Sequence, residues 1–132
     1  MLPRSRLMAF VATTDAERAK EFYEHVLGLT LVEEGPFALV FDADGTELRI
    51  QKVDAVLVPG YTVLGWEVES ISAAVRKLGP RGVTFERYPG LDQDELGIWR
   101  SPDGHQVAWF RDPDGHVLSL TQHVKGRSPL GA

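Results

Sequence analysis

The sequence predicts an α+β protein of two βαβββ modules, whose curved mixed sheets form a cup-shaped pocket. The first observation behind this is an internal repeat. Residues 7–11 are apolar and lead through Thr14 and Asp15 to a helical pattern, then to Gly28 and the β-rich run 29–32. Residues 63–68 lead in the same way through Glu69 and Ser70 to a second helical pattern, Gly82 and the run 83–85. Gly28 and Gly82 stand 54 positions apart, as do Asp15 and Glu69. The second observation is turn chemistry. Asp44-Gly45 and two copies of Pro-Asp-Gly-His, at 102–105 and 113–116, separate alternating segments where hairpins belong.

Taken in order, the first strand centres on residues 8–12. Asp15 is a good N-cap, because its carboxylate can accept from the orphan amides of the first helical turn. Behind it Ala19, Phe22, Tyr23, Val26 and Leu27 recur as one stripe of an α-helix. Gly28 ends that helix, since a left-handed C′ residue costs glycine little. Three strands follow at 29–33, 37–41 and 47–52, and residues 53–60 connect to the second module. There, 61–68 is a strand and Ser70 caps a helix with the stripe Ile71, Ala74, Val75 and Leu78. Residues 83–87 read as the next strand, 89–97 as an acidic loop, and 106–111 and 117–122 as the closing strands.

The chain of 132 residues fits a single domain, with module one at about 6–53, module two at about 61–123 and a mobile tail at 124–132. It contains no cysteine, so disulfides and thiolate metal sites are excluded, which suits a cytoplasmic setting. A formal charge of −5 argues against nonspecific nucleic-acid binding, and no apolar run is long enough for a membrane span.

The element order, the run D-x6-F-Y-x-x-V-L-G-L from Asp15 to Leu29, and the run F-R-D-P-D-G-H-V-L-S-L from Phe110 to Leu120 resemble the vicinal oxygen chelate superfamily. That group includes glyoxalase I, extradiol dioxygenases and bleomycin-resistance proteins. The resemblance spans about residues 6–122 and implies the glyoxalase-like fold. It also implies a homodimer, with Trp99 to Trp109 as a candidate contact surface. It does not imply one activity, because function belongs to the site and not to the fold.

Metal-dependent members of the superfamily place four His, Glu or Gln ligands on four strands. Carried over by resemblance, those positions fall on Met8, on Arg49 (or Gln51 with a shift of one pleat), on Val63 and on Ser119. Met8 and Val63 cannot hold a hard cation, Ser119 is a feeble ligand and Arg49 would repel one. The cup is therefore expected to lack the metal, and no cofactor is expected. Alternation turns Glu47, Arg49 and Gln51 toward the cup, with Leu48 and Ile50 on the helix. The expected ligand-binding residues are Met8, Phe10, Arg49, Gln51, Val63, Trp109 and Ser119, mostly apolar with a few polar points.

Arg49 can offer a bidentate fork to an anionic ligand, or be spent on Glu47 or Glu67 within its sheet. Trp99 and Trp109 can pair across a hairpin, or stack on a ligand or a second subunit. His105 and His116 follow turn glycines, a position that usually faces solvent. The leading expectation is a small-molecule-binding protein with a metal-free cup, taking an anionic or aromatic metabolite or sequestering a drug. The alternatives are a metal-independent isomerase or lyase using Glu47 or Glu67, and a divalent-metal-dependent lyase or dioxygenase.

Overall fold

A computed structural model describes residues 1–125 and 127–130. Gly126, Gly131 and Ala132 lie outside the described residues, and the mobile tail expected from residue 124 falls partly on them. The chain divides into two units: Met1–Val58 with Asp112–Gly115, and Pro59–Arg111 with the chain from His116 on.

In the first unit, β1 (Met8–Thr13) is followed by α1 (Ala16–Lys20), β2 (Thr30–Glu34), β3 (Ala38–Ala43) and β4 (Thr46–Lys52). The sheet order is β1-β4-β3-β2, with β1 parallel to β4 and the other pairs antiparallel. Asp15 caps α1 as expected, its Oδ1 accepting from the Arg18 amide at 3.2 Å. Val11, Leu39, Phe41, Leu48 and Ile50 are buried on one sheet face, against Ala19 and Tyr23 from the helical segment. The β3–β4 turn has φ of 51° at Asp44 and 89° at Gly45, the positive pair that a type I′ hairpin requires.

The helix departs from the single α-helical stripe that the spacing predicts. From Glu21–Val26 the chain is a π-helix, with the Leu27 amide bonded to the Phe22 carbonyl at 2.9 Å. A wider turn takes in one more residue and shifts which side chains face inward. Tyr23 becomes fully buried, while Phe22, Val26 and Leu27 are half-buried.

The second unit holds β5 (Thr62–Glu67), α2 (Ile71–Leu78), β6 (Trp99–Arg100), β7 (Gln106–Arg111) and β8 (Val117–Gln122), in the sheet order β5-β8-β7-β6. Ser70 caps α2 by accepting from the Ala73 amide at 3.3 Å, and the Ile71 amide donates to Gln122 Oε1 at 2.8 Å. Ile71 and Val75 of α2 and Ala108, Phe110, Leu118 and Leu120 of the sheet are buried.

The strand expected at 83–87 is corrected. Only Phe85 makes a bridge there, to Phe110. The neighbouring backbone is satisfied by a side chain instead: Gln93 accepts from the Tyr88 amide at 2.8 Å and donates to the carbonyls of Glu86 and Gly97. The module's second strand in chain order is the two-residue β6. The acidic loop before it is bonded internally, with Asp94 Oδ1 accepting from the amides of Leu96 and Ile98.

Candidate functional site

The first unit's sheet has one face on its helical segment, and strand alternation puts a second set of side chains on the other face. Three rows cross it: Met8–Glu47–Asp42, Phe10–Arg49–Val40 and Ala12–Gln51–Ala38. Met8, Phe10, Arg49 and Gln51 thus share one face. Met8 is 42% exposed and Phe10 51%, high values for side chains of their size. Arg49 Nη1 lies 3.1 Å from Glu47 Oε2, an ion pair within β4.

In the second unit, Leu118 and Leu120 pair with Phe110 and Ala108 on the face that packs on α2. The alternate residues make the other face. One row is Gly65–Ser119–Trp109, and the next is Glu67–Thr121–Val107–Trp99. Val63 falls at a shift in the β5–β8 register and is 38% exposed. Ser119 is nearly buried, close against Gly65. Trp99 pairs directly with Val107, and its ring contact with Trp109 is the diagonal one, centroids 6.1 Å apart. Tyr88 meets Trp109 edge to face at 5.4 Å. Burial, then the Glu86 carboxylate, raise the Tyr88 phenol above its ordinary range, against the opposing Arg111 charge. Sequence reasoning missed Tyr88, because it lies outside every strand and no periodicity marks it. Glu67 is exposed, and among the described residues its carboxylate has no hydrogen-bond or ion-pair partner.

The segments that carry the resemblance meet in the first unit. Tyr23 donates its hydroxyl to Asp112 Oδ2 at 2.7 Å, in a buried pair. Asp114 Oδ1 accepts from the amide and hydroxyl of Thr14 at 3.0 and 3.1 Å, and the Asp114 amide returns to Asp112 Oδ1. The expectation that the turn histidines face solvent is corrected for His116, which is only 5% exposed. His105 is half-buried, with its Nδ1 accepting from the Val124 amide at 2.9 Å and lying 3.3 Å from His123 Nδ1. Among the described residues no three His, Asp or Glu side chains are grouped so that they could hold a metal ion.

A family model described as the Glyoxalase/Bleomycin resistance protein/Dioxygenase superfamily matches residues 6–120. The chain belongs to that superfamily. Solved structures agree on the glyoxalase-like α+β fold. A glyoxalase/bleomycin resistance protein/dioxygenase from Alicyclobacillus acidocaldarius is 20% identical with a TM-score of 0.70, covering 92% of each chain. A lactoylglutathione lyase from Agrobacterium tumefaciens is 17% identical with a TM-score of 0.70, covering 91% of this chain and 94% of that one. A superfamily protein from Nocardioides is 22% identical with a TM-score of 0.69, covering 95% of this chain and 88% of that one. No curated protein matches the sequence. Among the described residues no helix is long and apolar enough to cross a membrane.

Proposed function

We propose that this member of the superfamily binds a small molecule on the uncovered faces of its sheets, and does so without a metal. The observation that supports this most is the first unit's uncovered face. There Phe10, 51% exposed, and Met8, 42% exposed, flank the Arg49–Glu47 ion pair. Apolar side chains grouped around a few fixed polar atoms are the usual makeup of a ligand site. Gln51 extends this face; in the second unit Ser119 and Trp109 share the corresponding face of its own sheet, and Val63 stands on that sheet's first strand.

The residues at the four positions where metal-dependent members place ligands do not fit a hard divalent cation. Met8 and Val63 offer no oxygen or nitrogen donor, and Arg49 brings its own positive charge, already held by Glu47. Ser119 offers only a neutral hydroxyl.

The test is native mass spectrometry of the purified protein, with and without the Phe10→Ser substitution. A small-molecule adduct retained by the wild type and lost or weakened in Phe10→Ser is the expected result. Wild-type protein that never carries an organic adduct, from its host or from a metabolite mixture, would refute the reading.

A further inference from the structure

We infer that the second unit takes a planar aromatic cation, with Trp109, Trp99 and Tyr88 as the wall on which its ring stacks and Glu67 as the carboxylate that meets its charge. The inference rests on the proposed ligand-binding role and narrows it to one chemical class.

The wall is built by register. Trp109 and Val107 are alternate residues of β7, and Trp99 stands opposite Val107 on β6, so the two indoles lie on one face. Their centroids are 6.1 Å apart, and Tyr88 closes the other side of Trp109 at 82° to its plane. All three rings are partly exposed, which leaves ring surface for an incoming π-system.

Charge selects among flat ligands. The cation on the wall's own strand face, Arg111, is engaged with Glu86 at 3.0 Å. Glu67 has no partner among the described residues. It shares a row with Thr121, Val107 and Trp99, so two inter-strand spacings, roughly 10 Å, separate it from the indole-bearing strand β7. A three-ring cation seated on the wall and extending across Thr121 brings its charged amino edge toward it. The indole faces also attract positive charge, and the net charge of −5 draws cations to the protein.

Two three-ring probes test this on the intact protein, by quenching of tryptophan emission and by calorimetry: cationic proflavine and anionic 9-anthracenecarboxylate. Proflavine should bind at least about tenfold more tightly. Glu67→Gln should weaken proflavine about fivefold without weakening the carboxylate probe. Trp109→Leu should weaken both probes, and Trp109→Phe, which keeps a ring, should recover part of the loss. Equal or tighter binding of the carboxylate, or no effect of Glu67→Gln, overturns the cation assignment while the binding role stands. If neither probe binds, this inference fails. The broader reading fails with it only where native mass spectrometry also finds no organic adduct.

Discussion

The phenol of Tyr23 has no exposed surface and donates a hydrogen bond to Asp112 at 2.7 Å. Burial first, and then the adjacent carboxylate, raise its pKa well above the usual 10.0. Folding therefore favours the neutral phenol: its stabilisation is intact below pH 10 and is lost as rising pH ionises the phenol in the unfolded chain. Urea unfolding followed across pH should show stability falling above about pH 10 in the wild type and much less so in Tyr23→Phe. At neutral pH that substitution should cost about 1–3 kcal/mol, because buried Asp112 loses a charge-assisted donor. A pH profile identical in both proteins would contradict this role.

At the same scale, alternation made the uncovered face legible: Phe10, Arg49 and Gln51 lie together because β-strands have period two. Arg49 was legible only as a choice, since a sequence does not say which carboxylate a guanidinium will meet. His116 was not legible. Turn statistics describe a residue's backbone and say nothing of the neighbours that bury it.

Among the elements, β5 and β8 are paired with Gly65 opposite Ser119. A Cβ at residue 65 would lie 2.7 Å from the Ser119 hydroxyl. Gly65→Ala should destabilise by about 1–3 kcal/mol through overpacking, and Ser119→Ala in the same chain should return most of it, because the clashing atom is gone. A double-mutant cycle by thermal unfolding measures that coupling. Additive losses would mean that the strands adjust freely.

The hairpins and both helix caps could be read from sequence because each depends on a few adjacent residues. The π turn and the missing strand at 83–87 could not. The first goes with Tyr23 reaching Asp112, 89 positions away, and the second with Gln93 satisfying backbone groups that a ladder would otherwise pair.

For the whole molecule, the division into units is interleaved. The turn Asp112–Gly115 groups with the first unit although it joins two strands of the second, and it supplies Tyr23 and Thr14 with partners. A fragment of residues 1–58 should therefore fail to fold alone, as a piece of about 60 residues is marginal even with its contacts intact. Circular dichroism with a cooperative melt of that fragment would contradict this.

The repeat of 54 residues made the two-module plan legible at this scale. The ligand was not legible, because one fold serves many chemistries.

The measurement that bears most directly on metal-free ligand binding is elemental analysis of the purified protein, paired with ligand titration before and after exhaustive chelation. Sub-stoichiometric nickel, zinc, iron and manganese, with affinity and melting temperature unchanged by the chelator, is the predicted result. One equivalent of such a metal per chain, with binding abolished on its removal, would contradict the account.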